Sequence, residues 1–466
     1  MNKFPKGFLW GASTSAYQFE GFIKEGGKVP STMDLYEYKE SYPKNVTGFS
    51  DASGHYKMWK EDVKMMAEMG LKSYRFSISW PRIIKNKDGE INQEGLKFYT
   101  DLIDDLIKNG IEPIVTIFHF DIPMFVMEDG GVLNQNFVKH FEVYSKVLFE
   151  AFGEKIKYWL TINELNILVL MAHGFEILEK QDFEKQIKVM HNLNVAQAKA
   201  IILCKKKCPS AKIGPAPNIA AVYPSTSKPE DYTAKLNMDI IRNWVYLDAV
   251  CKGVYNNVFL TYMKKMGIKF EPTKEEMETI KNGKPDFIAF NYYSTLTVKM
   301  PSNEDSLKNK EKADQQTGLV VPGFAMADQN PNLQKTQFGW EIDPIGFRNT
   351  LREVYDRYHL PMMITENGIG ARDVLEKDGS IHDDYRIEYY QKHIEQMAEA
   401  ISDGVEMIGY MPWSAVDLVS THEGISKRYG FIYVNRDEFD LKDMKRFKKD
   451  SYYWYKKLIE ENGKNF

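Results

Sequence analysis

Short apolar runs alternate along the chain with longer amphipathic stretches. Two of the amphipathic stretches, HYKMWKEDVKMMAEMG (55–70) and GLKFYTDLIDDLIKNG (95–110), repeat apolar residues at i, i+3 and i+4 and close on a glycine. This spacing predicts helices that bury one face and end near that glycine. The apolar runs predict strands at 8–14, 73–79, 112–118, 158–164, 212–218, 287–293, 362–368 and 405–413.

The regular alternation of strands and helices predicts an α/β fold built on a parallel sheet. The strands are apolar almost throughout, as expected for strands that are covered on both faces. Eight strands are the number that closes a (β/α)8 TIM barrel. A long polar stretch at about 300–340 is interpreted as a loop inserted after the sixth strand, at the C-terminal face. We expect one domain over residues 1–466, because barrels of this kind often exceed the usual domain length.

Composition and charge exclude several classes of protein. With 43% hydrophobic and 13% aromatic residues, the chain is not typical of a disordered protein. The net charge of -4 gives no reason to expect binding to nucleic acid or to an anionic membrane. No run approaches the roughly 18 apolar residues of a membrane span. The first residues also lack the apolar core of a signal peptide.

The cysteine content favours a reducing compartment. The chain has three cysteines, Cys204, Cys208 and Cys251. A low and uneven number argues against a disulfide framework. No second Cys/His pair lies at zinc-site spacing from Cys204 and Cys208. We therefore predict a cytoplasmic protein without a metal or another cofactor, and leave its oligomeric state open.

Polar and aromatic side chains follow seven of the eight predicted strands, where the chemistry of such barrels takes place. Any one of them alone would more often cap a loop than catalyse a reaction. Arg75 is harder to dismiss, because a guanidinium inside an apolar strand needs a carboxylate or several acceptors. The side chains at these ends are Gln18, Arg75, His119, Asp121, Asn163, Glu164, Asn291, Tyr293, Glu366, Asn367 and Trp413.

Glu164 and Glu366 directly follow apolar strands, whereas surface glutamates usually lie on helices. Two carboxyl groups across a barrel mouth suit cleavage of a glycosidic bond, where one protonates the leaving oxygen and the other attacks the anomeric carbon. Their surroundings must then separate their pKa values. We expect Arg75 and Tyr293 to keep Glu366 ionised. Glu164 lies beside the neutral Asn163 with no evident cation nearby, and we expect it to remain protonated and act as the acid.

The sequence resembles glycoside hydrolase family 1 over nearly its whole length. The resemblance is carried, in order, by FPKGFLWGASTSAYQFEG (4–21), TINE (161–164), NYY (291–293), ITENG (364–368) and YGFIYV (429–434). It implies a retaining β-glycosidase on a (β/α)8 barrel, with Glu164 as acid/base, Glu366 as nucleophile and their carboxyl groups about 5–5.5 Å apart. It also implies that the sugar at subsite −1 is held by Gln18, His119, Asn163, Asn291 and Trp413.

Two departures from the family pattern stand out. Leu165 and Asn166 follow the acid/base glutamate where the usual motif has a proline, and this variant looks like the phospho-glycosidase branch. Val132 replaces a common aromatic residue after the Gly-Gly pair, a change expected to loosen either the packing or the aglycone side of the cleft. Neither change removes a chemical group that the reaction needs.

The stretch LVSTHEGISKRYGF (418–431) bears on the identity of the sugar. In family members that act on plain glucosides, a Glu lies seven residues after the Trp of strand eight, and a second Trp follows that Glu. Counted from Trp413, this chain has Ser420 and Thr421 at these two positions. Lys427 and Tyr429 then follow at a spacing that resembles the 6-phosphate site of 6-phospho-β-glycosidases. A hydroxyl, an ammonium and a phenol would give a phosphate three convergent donors.

The competing interpretation of this stretch is a solvated turn in which Arg428 pairs elsewhere. The loss of the sugar-binding Glu favours the phosphate site, with Arg428 in a structural role and Glu423 pointing away from the site. The small Thr421, where the compared phospho-galactosidases have Trp, favours gluco over galacto substrates.

The sequence therefore predicts retaining hydrolysis of 6-phospho-β-D-glucosides to glucose 6-phosphate and an aglycone. A cytoplasmic location fits, because sugars phosphorylated during uptake occur inside the cell. The alternatives are a 6-phospho-β-galactosidase or dual-specificity enzyme, a β-glucosidase for unphosphorylated substrates, and a non-catalytic barrel that binds phosphorylated sugars.

Overall fold

The computed structural model describes residues 3–38, 42–175, 177–180, 182–301, 320–321 and 323–464. Eight of its strands form one sheet in which all neighbours run parallel. In chain order they are β1 (Leu9–Ser13), β2 (Ser73–Ser77), β3 (Glu112–Phe118), β4 (Tyr158–Asn163), β5 (Lys212–Ala216), β6 (Ile288–Asn291), β7 (Met362–Glu366) and β8 (Met407–Tyr410).

The sheet curls into a ring because each strand pairs with its neighbours in sequence and β8 pairs with β1. The remaining gap between β5 and β6 is bridged by backbone hydrogen bonds at both ends. Asp286 donates to Ile213, and Asn291 donates to Pro217, each at 2.9 Å. The predicted (β/α)8 barrel is therefore confirmed, and each predicted strand overlaps an observed one.

The helices pack around the ring and cover its outer face. The helix His55–Met69 ends at Gly70, whose φ of +83° lies in the left-handed region that favours glycine. The helix Gln93–Lys108 begins at Asn92, whose side chain accepts from the Glu94 backbone amide. The remaining α-helices are Ala16–Phe19, Thr32–Tyr36, Trp80–Ile83, Met124–Glu128, Asn136–Phe152, Leu165–Leu170, Phe183–Lys207, Pro229–Asp239, Val245–Leu247, Asn257–Lys265, Lys274–Asn282, Pro344–Tyr358, Asp384–Ser402 and Asp450–Glu460.

Apolar side chains fill the molecule in two layers, as expected for a barrel whose strands are covered on both sides. A small cluster inside the ring contains Ile114, Leu160, Phe287, Met363 and Met411. A much larger cluster lies between the ring and the helices. Within the part of the chain that the structure describes, none of the helices combines the length and apolar character needed to cross a bilayer.

The polar stretch at 300–340 contains more structure than the predicted loop. Residues 302–319 and 322 lie outside the described residues. The described part contributes Val320–Val321 and Ala325–Asp328 to a four-stranded sheet with Val222–Pro224 and Leu296–Lys299. Further short strands are Gln334–Lys335, Glu341–Ile342, Ile432–Val434 and Arg446–Lys448.

Candidate active site

Irregularities in the strand pairing place both glutamates at the mouth of the barrel. Near the end of β7, Ile364 pairs with Phe290 and Glu366 pairs with Asn291, so β7 contains one extra, unpaired residue between these two pairs. Near the end of β4, the strand likewise carries one more residue than β5 before Asn163 pairs with Ala216. An extra residue turns the following side chains. Glu164 then adopts a φ of +44°, an uncommon left-handed conformation for this residue type, and starts a short helix.

The carboxyl group of Glu366 is held by one cation and one phenol. Arg75 Nη1 donates to Oε1 at 2.5 Å, and Tyr293 Oη donates to Oε2 at 2.7 Å. Arg75 is fully buried and also donates to Thr116 and Asn163, at 2.8 and 2.7 Å. Burial raises the pKa of Glu366, while Arg75 and Tyr293 oppose that rise by stabilising the carboxylate.

The carboxyl group of Glu164 accepts hydrogen bonds from two neutral side chains. Asn218 Nδ2 and Asn291 Nδ2 both donate to Oε1, at 2.7 and 2.9 Å. Burial, and then repulsion from Glu366, raise the pKa of Glu164 to about 7. This carboxyl group can therefore exchange a proton near neutral pH.

Asn163 connects the two carboxyl groups to His119. Its side-chain oxygen accepts from Arg75 at 2.7 Å and from Asn291 at 3.1 Å. Its amide nitrogen must therefore donate to His119 Nε2, which lies 3.0 Å away, so the proton of the neutral ring lies on Nδ1. Burial lowers the pKa of His119 well below its usual range, and the ring is neutral.

Gln18 and Trp413 complete the predicted sugar-binding set. Gln18 accepts from Ser15 Oγ at 2.7 Å and donates to the backbone oxygen of Val419 at 2.9 Å, so it joins the end of β1 to the 418–431 loop. The Trp413 ring stacks on His119, with centroids 6.1 Å apart and an interplanar angle of 21°.

These side chains surround one cavity of about 240 Å³. Ten of the predicted site residues line it: Gln18, His119, Asn163, Glu164, Tyr293, Glu366, Trp413, Ser420, Lys427 and Tyr429. Arg75 and Asn291 lie behind this surface, where they contact the two glutamates.

Lys427 and Tyr429 are both buried and line this cavity. Lys427 Nζ lies 3.9 Å from the ring centroid of Trp340 and 4.7 Å from that of Phe338. The backbone of Gly370 passes directly behind them. A Cβ atom at this position would lie 2.6 Å from Lys427 Cγ and 2.9 Å from Tyr429 Cζ, so a larger residue would displace both.

Internal contacts hold the 418–431 loop in place. Arg428 is buried and pairs with Asp417 at 2.9 Å, so it has the structural position expected for it. Glu438 accepts from the backbone amide of Ser426 at 2.7 Å. Glu423 is exposed and borders the cavity together with Ser420, and the outward direction of its carboxylate stays a prediction.

Sequence reasoning missed several residues of the site. Asn218 lies just after β5, the strand that was assigned no polar group, and the rule applied to the other strands would have found it. Arg242 supplies the cation that the sequence did not suggest near Glu164, and its charge lowers the pKa of that carboxyl group. Trp340 comes from the polar stretch after β6, and Tyr17 precedes Gln18. No set of three residues suited to hold a metal ion occurs among those the structure describes.

The profile of glycosyl hydrolase family 1 matches residues 1–464. The chain is 42% identical over 475 residues to an aryl-phospho-β-D-glucosidase of Bacillus subtilis (strain 168), covering 99% of this chain and 98% of that protein. It is 37% identical over 490 residues to a 6-phospho-β-glucosidase of Escherichia coli (strain K12), covering 100% of both. The fold matches a β-glucosidase from Thermotoga maritima in complex with glucoimidazole, with a TM-score of 0.90 and 36% identity over 99% of this chain and 100% of that chain.

Proposed function

Because this chain belongs to glycosyl hydrolase family 1 and is a glycosidase, we propose that it hydrolyses 6-phospho-β-D-glucosides with retention of anomeric configuration. The products are glucose 6-phosphate and an aglycone. The relatives named for phosphorylated glucosides are 42% and 37% identical to this chain, and the plain β-glucosidase is 36% identical, so overall similarity favours phosphorylated substrates. The local chemistry of the cavity supports the choice.

The observation that carries the proposal is the position of Ser420, Lys427 and Tyr429. All three line the same cavity as Glu164 and Glu366, so a sugar bound for cleavage can present its 6-phosphate to them. Lys427 supplies a positive charge, and the other two supply hydroxyl donors. The uncharged Ser420 stands where plain glucosidases of the family have a carboxylate, which would repel a phosphate.

In the first step, Glu164 gives its proton to the leaving oxygen while Glu366 attacks the anomeric carbon. The C–O bond to the aglycone breaks as the bond to Glu366 forms, which produces a covalent glycosyl-enzyme. Arg75 and Tyr293 stabilise the attacking carboxylate. Asn163 is positioned by Arg75 to bind the 2-hydroxyl group of the sugar.

In the second step, Glu164 changes from acid to base while Glu366 is the leaving group. Once Glu366 is esterified, its negative charge no longer raises the pKa of Glu164. The pKa of Glu164 therefore falls, and its carboxylate accepts a proton from the attacking water. One residue thus serves as acid and then as base because its neighbour changes charge.

The pH profile follows from the protonation state of Glu164 in the free enzyme. Its pKa is raised to about 7, so kcat/KM should decline above about pH 7 as the proton donor is lost. The measurement is kcat/KM for p-nitrophenyl 6-phospho-β-glucoside between pH 4 and 9. The second ionisation of the substrate phosphate, near pH 6, also affects the acid limb of the profile. The basic limb is therefore the part that reports the pKa of Glu164. A flat profile up to pH 9 would contradict this assignment.

The substrate class is tested with four p-nitrophenyl glycosides, β-glucoside and β-galactoside, each with and without a 6-phosphate. We expect the highest kcat/KM for the 6-phosphoglucoside. Preference for the plain glucoside would refute the phosphate site, and preference for the 6-phosphogalactoside would refute the role given to Thr421. Absence of turnover with all four would favour the non-catalytic alternative.

Replacing Lys427 by Met should raise KM for the phosphorylated glucoside by about 10- to 100-fold, since a charged hydrogen bond contributes roughly 1.5–3 kcal/mol. KM for the plain glucoside should change little. Arg372→Met is a matched control, because Arg372 lies over the Phe338 ring but outside the cavity lining. Equal effects of Lys427→Met on both substrates, or of both variants on the phosphorylated one, would count against a phosphate contact.

Gluco specificity is proposed from the space beside Thr421. The hydroxyl groups of Thr421 and Tyr17 are 2.8 Å apart and both residues line the cavity, so a small polar residue stands where the compared phospho-galactosidases have Trp. A phosphorylated substrate also fits the cytoplasmic location that the cysteine content suggests, and we keep that location as part of the proposal.

A further inference from the structure

Arg242 is a buried cation that the reaction described above does not use. It lies on a π-helical turn, Ile240–Trp244, and its side chain is enclosed by the protein. One terminal nitrogen donates to the backbone oxygen of Asn218 and the other to the side-chain oxygen of Asn218. Its Nε lacks a hydrogen-bond partner, and no carboxylate hydrogen-bonds to it among the described residues. A buried guanidinium without a directly bonded carboxylate is costly and invites a functional explanation.

The contact with Arg242 fixes the orientation of the Asn218 amide. Because the side-chain oxygen accepts from the guanidinium, the amide nitrogen must face the other way, where it donates to Glu164 Oε1 at 2.7 Å. Asn166 secures both residues by donating to the backbone oxygens of Asn218 and Arg242, at 2.6 and 3.0 Å. The cation, the amide and the carboxyl group of Glu164 therefore form one chain of contacts.

The charged and titratable groups that act on Glu164 come from several sides of the barrel mouth. Glu366 repels its charge from the end of β7, and Arg242 attracts it from beyond β5. The phenols of Tyr17 and Tyr293 also interact with it. Among these groups Arg242 is the cation, and the attraction is mutual, since Glu164 favours the charged form of Arg242.

We infer that Arg242 is a positioning residue that acts through the Asn218 amide and prepares Glu164 to serve as the carboxylate base of the second step. This inference rests on the acid/base role proposed for Glu164. In that step the water oxygen bonds to the anomeric carbon, and the bond to Glu366 breaks with its electron pair on Glu366. Glu164 takes the water proton. The hydrogen bond from the Asn218 amide and the positive charge of Arg242 both favour the ionised carboxylate of Glu164, which must be present to accept this proton.

The test compares pH profiles of three variants using p-nitrophenyl 6-phospho-β-glucoside. Arg242→Met removes the charge at similar volume and should move the basic limb of kcat/KM upward by about 0.5 to 1 pH unit, with little change in KM. Arg242→Lys keeps a positive charge, so the pH of its basic limb should lie between those of Arg242→Met and the wild type. Tyr246→Phe is the matched control, because Tyr246 is a buried neighbour of Arg242 and the change is uncharged. It should leave the limb in place.

An unshifted basic limb in a folded Arg242→Met protein would overturn the inference, as would an equal shift in Tyr246→Phe. If Arg242→Met does not fold, Asn218→Ala interrupts the same chain of contacts and should also move the limb upward. An unmoved limb there would overturn the inference as well. These outcomes require an active wild type, so failure of the inference is distinct from failure of the proposed function, in which the wild type itself does not turn over the substrate.

Discussion

Replacing Glu366 by alanine is expected to reduce turnover of 6-phospho-β-glucosides by at least about 10⁴-fold, because the covalent step loses its nucleophile. The cavity left beside Arg75 and Tyr293 is polar and positively charged, and it can admit a small anion. Added azide should occupy this space and attack the anomeric carbon of an activated 2,4-dinitrophenyl substrate directly. A single displacement inverts the centre, so the product should be the α-glycosyl azide.

The anomeric configuration of this product, determined by NMR, is the decisive measurement. Glu366→Gln provides the control, because it keeps the volume of the side chain but closes the space for azide. We expect it to be inactive and not rescued. A β-configured azide from Glu366→Ala, or no rescue of a folded Glu366→Ala protein, would contradict the nucleophile assignment.

Replacing Glu164 by alanine should produce the opposite pattern. Without a proton donor, cleavage of poor leaving groups should slow by about 10²- to 10⁴-fold, whereas the 2,4-dinitrophenolate leaves without protonation. The second step lacks its base, so the glycosyl-enzyme should accumulate and appear in the intact-protein mass spectrum. Azide can attack this intermediate from the β face, and the product should be the β-glycosyl azide.

The two alanine variants control each other, since they differ in the configuration of the azide that they form. In Glu164→Ala the basic limb of the pH profile near pH 7 should also disappear, because this limb is attributed to that carboxyl group. Formation of the α-azide from this variant, or an unchanged basic limb, would show that the roles of Glu164 and Glu366 have been exchanged or misassigned.

The fold and the family were accessible from the sequence because they depend on features distributed along the chain. Apolar strands of a covered parallel sheet are recognisable segment by segment, and the structure confirms all eight. Motifs such as TINE and ITENG are local, and the family profile spans residues 1–464. Arg75 was singled out for a physical reason, an ion inside an apolar strand, and the structure places it against Glu366.

The parts of the site that were missed depend on contacts between distant segments. Arg242 lies 24 residues beyond Asn218, on a helical turn whose register gives no sign that it faces the barrel mouth. Trp340 belongs to a polar stretch, so its contact with Lys427 requires the folded arrangement of two loops.

Glu164 combines a left-handed backbone with a carboxyl group whose burial raises its pKa to about 7. Both features raise the free energy of the folded state. The raised pKa does so at any pH at which this glutamate would be ionised in the unfolded chain. A neutral residue of the same shape at this position would therefore give a protein that tolerates heat better and turns over ordinary substrates far more slowly. The glutamate at this point of the chain therefore lowers the stability of the fold in exchange for turnover.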